Sequence, residues 1–214
     1  MCTAMSRIFV AQEVYDSFVA EFVSRAGRIT LGNSLNYETQ MGPLISQGHR
    51  RRVLECIARA KKEGVRLLCG GTAPDDPVLR KGFFLTPTVL EGALPQTAIF
   101  QEEIFGPVVC LTKFKELDEA VALANSTDFG LASSIWTKDI SLAQETARRI
   151  QAGTVWINTY GMFYNELPYG GFKQSGFGKE LGKEGFLEYT RLKNVVIDET
   201  PTTSKPLVNY WYGF

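Results

Sequence analysis

Four cysteines and a single histidine are the side chains of this 214-residue sequence to which covalent or metal chemistry would turn first. A cysteine thiolate is both nucleophile and metal ligand, and a small share of an ordinary thiol is already ionised at neutral pH. Cys2, Cys56, Cys69 and Cys110 contain no C-x-x-C pair. That spacing argues against a disulfide scaffold and against a compact thiolate metal site, so no metal is expected. With His49 as the sole histidine, a multi-histidine centre is excluded, and a Cys-His or Ser-His dyad would depend on that one ring. His49 stands in QGHRRRVLECI at the start of an amphipathic helix, which predicts a solvated imidazole.

Cys2 carries two readings. A thiol at position 2 is commonly incidental, since first residues tend to be poorly ordered. It also directly precedes TAMSR and the strand-like RIFVA, a setting in which a nucleophile would be held in place. Cys56 lies on the apolar stripe of a helix, while Cys69 and Cys110 lie in strand-like runs; all three read as buried packing thiols. EEIFGP (102–107) places two adjacent acids before an apolar residue, a glycine and a proline, the composition of a turn feeding a strand. On composition alone Glu103 is a solvated turn acid and Phe105 a core residue.

The elements that must position these groups alternate in type. RIFVA (7–11) reads as a strand and 12–28 as a helix whose Val14, Phe18, Phe22 and Val23 share a face. A loop over 31–46 ends on Ser46, a helix cap; the next helix runs to about Glu63, and Gly64 takes the left-handed residue that closes it. VRLLC (65–69) reads as a short buried strand, FFLTPTVL (83–90) as an extended segment interrupted by Pro87, and VVCLTKF (108–114) as a strand. A helix ending near Asn125, strands over 131–136 and 154–158, and a helix over about 140–150 capped by Asp139 follow. Such alternation predicts an α/β fold with an open, mostly parallel sheet and helices on both faces. Beyond Asn158 the chain is glycine-rich through about residue 182, a loop of functional length, with a short helix near 183–189. Its GGFKQSGFG lacks the Walker spacing of a phosphate cradle. KNVVID (193–198) offers a last strand in need of an edge to pair with, followed by a polar linker and an aromatic end.

Three strings, CTAMSRIFV (2–10), QEEIFGPV (101–108) and PYGGFKQSGFGKELG (168–182), together resemble the C-terminal half of the aldehyde dehydrogenase superfamily. MGPL, FGLA and GTVWIN fall between them in the same order, so the likeness spans about residues 2–196. The resemblance implies a catalytic domain over 1–190 and an oligomerisation strand and tail over 191–214. It implies oxidation of an aldehyde to a carboxylic acid with NAD or NADP, through a thiohemiacetal and a thioester on Cys2. Glu103 and Phe105 match the cofactor-contacting pair, and Thr159, Gly161, Phe163 and Tyr169 match the aldehyde pocket. The aromatic residues Tyr160, Phe163, Tyr164 and Tyr169, with Glu166 beside them, suit a cationic aldehyde of the betaine aldehyde or aminoaldehyde kind. Ordinary aromatic packing is the alternative.

The family's cofactor domain, general base and oxyanion-holding asparagine have no counterpart in the sequence, so a fragment of a longer enzyme is expected, with doubtful activity alone. A non-catalytic partner subunit and a residual thiol esterase are the alternatives. Twenty-three basic and 23 acidic residues give no net charge, which excludes global steering to nucleic acid or an anionic membrane. No apolar run would span a bilayer and no signal-peptide pattern opens the chain, so a cytoplasmic protein is expected, partnered by an aldehyde and by a second copy or a full-length relative.

Overall fold

The computed structural model describes residues 1–199, and its organising element is a four-stranded sheet. The strands are β1 (Arg7–Ala11), β2 (Arg66–Cys69), β3 (Thr88–Glu91) and β4 (Val108–Phe114), in the order β1-β4-β3-β2. β1, β4 and β3 run parallel, with Arg7 opposite Cys110 and Thr88 opposite Val108; β2 closes the edge antiparallel to β3. The helices are α1 (Tyr15–Gly27), α2 (Gln47–Lys62), α3 (Ala98–Gln101), α4 (Leu117–Asn125), α5 (Ile140–Arg149) and α6 (Gly182–Leu187). β6 (Ala132–Ile135) and β7 (Thr154–Ile157) form a separate parallel pair, and β5 (Phe129–Gly130) pairs antiparallel with β8 (Phe172–Lys173).

Successive strand residues point to opposite faces, and the two faces are covered by different helices. Val89 and Leu111 join Ala26 of α1, with Ile8, Val19, Phe22, Val23 and Val109 around them. Leu90 and Cys110 point the other way, into a larger cluster with Val53, Ile57 and Ala60 of α2 and Phe100 of α3. Each fully buried Val, Leu, Ile or Phe contributes roughly 1.5–3 kcal/mol relative to exposure, so these two layers fix the sheet. The expected parallel sheet with helices on both faces is what forms. Ser46 caps α2 by accepting a hydrogen bond from the His49 backbone N–H at 3.1 Å, and Asp139 caps α5 through the Leu142 N–H at 3.0 Å.

The interruption expected at Pro87 is present, the segment over 83–90 being a strand only from Thr88, because Pro87 has no N–H to give and Thr86 donates instead to the Thr72 carbonyl at 2.9 Å. Several expectations are corrected. β2 is only half-buried, as an edge strand is. The helix over 12–28 opens with a 3-10 turn (Gln12–Val14) before α1. Cys110 is buried as expected, whereas Cys56 and Cys69 are only partly so. The imidazole of His49 is not solvated: it is half-buried, and its Nε2 is cut off from solvent without a hydrogen-bond partner among the described residues. Residues 193–197 form no strand among the described residues, and Val195, Val196 and Ile197 stand exposed. The expected aromatic end lies outside the described residues. No helix among the described residues is long and apolar enough to cross a membrane.

Candidate active site

The parallel pairing of β1 with β4 brings two feeder segments to one end of the sheet. Residues 2–6 lead into β1 and residues 102–107 into β4, and the Cys110 N–H donates to the Ser6 carbonyl at 2.9 Å between them. The first of these segments is a turn in which the Ala4 N–H donates to the Met1 carbonyl at 3.2 Å. Thr3 is 5% exposed, and its hydroxyl lies 3.4 Å from that of Tyr160. Cys2 remains exposed, its Sγ 3.6 Å from the Tyr169 hydroxyl.

The wall facing Cys2 is aromatic and hangs from the end of β7. Asn158 follows that strand in the left-handed region (φ 53°) and is pinned by its side chain, which accepts from the Thr137 N–H at 2.9 Å and donates to the Thr137 carbonyl at 2.8 Å. The chain then turns through Gly161 (φ 73°), where a side chain would be strained. Trp156, 6% exposed, donates its indole N–H to the Met162 carbonyl at 2.8 Å. Its ring meets those of Tyr160 and Phe163 edge-on at 5.4 and 5.6 Å, and Phe163 meets Tyr169 at 5.0 Å and 89°. Edge-to-face pairs at these separations are favourable beyond their burial. Tyr169 is fixed from behind by a two-way backbone pairing with Glu180, both bonds at 2.7 Å. Burial, with the Cys2 contact next in weight, pushes its phenol up to about 12, so it remains a proton-bearing hydroxyl at physiological pH.

Of the residues singled out from sequence, Cys2, Phe163 and Tyr169 are therefore brought together, and Gly161 shapes the turn between them. Thr159 contributes its carbonyl, which accepts from the Ser134 hydroxyl at 2.8 Å. Tyr164 and Glu166 are exposed and make no ring contact or ion pair among the described residues. Thr3 and Trp156 were missed; the signal for Trp156 was a lone large aromatic in a strand that runs directly into the pocket loop.

Glu103 and Phe105 belong to the second feeder segment and make no hydrogen bond or ring contact with these side chains among the described residues. That segment is nailed down by its other residues. Glu102 pairs with Arg59 at 2.5 Å, Arg52 donates to the Ile104 carbonyl at 3.2 Å, and the Ile104 side chain is buried. Glu103 is left exposed with no ion pair among the described residues, and Phe105 is 51% exposed with φ 55°, a conformation a bulky residue adopts only when its surroundings impose it. Phe105 is therefore not the core residue its composition suggested. An open cleft of about 500 Å³ lies between Asn125–Asp128 and Lys173, whose ammonium is already held by the Asn125 and Thr127 carbonyls at 2.6 and 2.9 Å.

Comparison with known proteins places the chain in a family. The profile of the Aldehyde dehydrogenase family matches residues 1–195. A betaine aldehyde dehydrogenase of Bacillus subtilis is 43% identical over 213 residues, which is all of this chain and 42% of that protein. Human aldehyde dehydrogenase 1A1 is 45% identical over 196 residues, 92% of this chain and 38% of that protein. Among solved structures, betaine aldehyde dehydrogenase from Staphylococcus aureus in complex with NAD+ superposes with a TM-score of 0.86 at 43% identity, covering 88% of this chain and 38% of that one. A point mutant of the same enzyme gives 0.93 at 41% identity over 99% of this chain and 42% of that one. The chain thus spans about two fifths of the length of the relatives it matches. On the profile match and on identities above 40% along nearly its whole length, the chain belongs to the aldehyde dehydrogenase family.

Proposed function

We infer that this chain is the nucleophile-bearing part of an NAD(P)-dependent aldehyde dehydrogenase, oxidising an aldehyde to a carboxylic acid. The observation that carries the reading is the Cys2 sulfur standing 3.6 Å from Tyr169 at the mouth of the aromatic wall. The thiolate of Cys2 adds to the aldehyde carbon; a C–S bond forms and the carbonyl π-pair moves to oxygen, giving a thiohemiacetal oxyanion. The Cys2 backbone N–H is the chain's own donor to that oxygen, and one such donor is worth about 10²–10³ in rate. A bound nicotinamide cofactor supplies the hydride acceptor, leaving a thioester for water to hydrolyse. The exposed, unpaired carboxylate of Glu103 fits a ribose hydroxyl, and the outward ring of Phe105 fits the nicotinamide face, so the residues present suit one rim of a cofactor site. NAD+ in the Staphylococcus aureus structures supports that assignment.

The edge-joined rings of Trp156, Tyr160, Phe163 and Tyr169 favour a quaternary ammonium aldehyde, because aromatic faces attract a cation that cannot be hydrogen-bonded. Identity does not decide between substrates, since relatives named for betaine aldehyde and for retinaldehyde are 43% and 44% identical. Residues 1–190 form the catalytic unit in this reading, and 191–214 the strand and tail that join a neighbouring subunit. The family resemblance puts the general base and cofactor domain in the part of the relatives that this chain does not span, so the chain alone is expected to capture aldehyde without turning over. With betaine aldehyde carrying ¹³C at its carbonyl, NMR is expected to show a new thiohemiacetal carbon in the native chain and none in Cys2→Ala, with no NADH formed by either. An unchanged spectrum in the native chain would sink the assignment.

A further inference from the structure

We propose that the Tyr169 hydroxyl is a positioning donor to the nucleophile, holding the Cys2 sulfur toward the aldehyde site and stabilising it as the thiolate. This rests on the reading of Cys2 as the nucleophile. The geometry favours a hydrogen bond with a direction. Oη and Sγ are 3.6 Å apart, a normal separation for sulfur, and a thiolate can only accept. The phenol keeps its proton, since burial and the adjacent sulfur push it up to about 12. The ring is held in place: Phe163 packs across it at 5.0 Å and 89°, and the two-way backbone pairing with Glu180 fixes residue 169 from behind. The neighbouring Tyr160 hydroxyl is engaged elsewhere, at 3.4 Å from the Thr3 hydroxyl and 3.7 Å from the Met1 sulfur. Without the hydroxyl the exposed sulfur, which has no other hydrogen-bond partner among the described residues, would sample several rotamers.

Alkylation by iodoacetamide tests this without aldehyde or cofactor. The Cys2 thiolate displaces iodide, a C–S bond replacing the C–I bond, and mass mapping reads the rate at Cys2 alone. A hydrogen bond to the thiolate raises its population but blunts its nucleophilicity. Tyr169→Phe, which keeps the ring, is therefore expected to alkylate about threefold more slowly at pH 7 and about twofold faster at pH 10. Equal rates at both pH values, or a change of the same sign at both, would overturn the proposal, the latter meaning that only access had altered. A reciprocal measurement does not depend on that variant folding: in Cys2→Ala, the ¹³Cζ signal of Tyr169 is expected to titrate at lower pH than in the native chain, and an unmoved titration would overturn the bond. If the rates invert while the aldehyde adduct never forms, the hydrogen bond stands and the enzymatic reading falls.

Discussion

At the scale of single residues, exposure and backbone conformation separate the candidate site from ordinary packing. Cys110 is 2% exposed, and burial pushes its thiol up to about 12 against the weaker pull of Arg7; burial also raises Cys56 and Cys69. A thiol reagent at pH 8 is thus expected to label Cys2 first and Cys110 only on unfolding, and rapid labelling of Cys110 in native protein would contradict its placement. Phe105 supports a second prediction. At φ 55° an alanine retains the Cβ conflict that a glycine lacks, so Phe105→Gly should be more stable than Phe105→Ala by about 1 kcal/mol in urea unfolding, the reverse of the usual order. Neither that conformation nor the Cys2–Tyr169 contact was legible in sequence, because both depend on segments distant along the chain. Cys2, Glu103 and Tyr169 were legible only through family motifs; composition made the first incidental and the second a plain surface acid.

At the scale of elements, local signals were read with the most success. β1, β4 and both side-chain caps lie where periodicity and cap chemistry put them. What escaped was set by tertiary contacts: the single turn of α3, the two-residue pair β5–β8, and the partition of β6–β7 into its own ladder. Ser46→Ala should cost about 1 kcal/mol through loss of the α2 cap, measured as a shift in the urea midpoint at constant slope. β4 supplies a pH dependence. Folding keeps Cys110 protonated, whereas the unfolded thiol ionises near its ordinary 9.0. The stability this contributes is complete below that value and is lost as pH climbs toward about 12, at up to about 1.4 kcal/mol per unit. Cys110→Ala should therefore be less stable at pH 7 but lose less between pH 9 and 11.

At the scale of the whole molecule, the described surface exposes several large apolar side chains. Phe177, Tyr189, Leu192 and Val195 are exposed, and Val196 is 91% so. The chain is expected to sediment above its monomer mass, and Val196→Lys to weaken that association about tenfold or more. A monomer at all concentrations would remove the role given to 191–214. The construction of the pocket has another consequence. The loop from Asn158 to Gly170 is suspended from β7 and from the Tyr169–Glu180 bridge, and neither anchor belongs to the sheet that carries Cys2 and the Glu103 segment. If the proposed reading holds, substrate choice and bond-making chemistry sit on separable cassettes, so exchanging the loop would change the aldehyde accepted while leaving the thiol chemistry in place. Tyr169 would then be the splice point, where a change of diet also retunes the nucleophile.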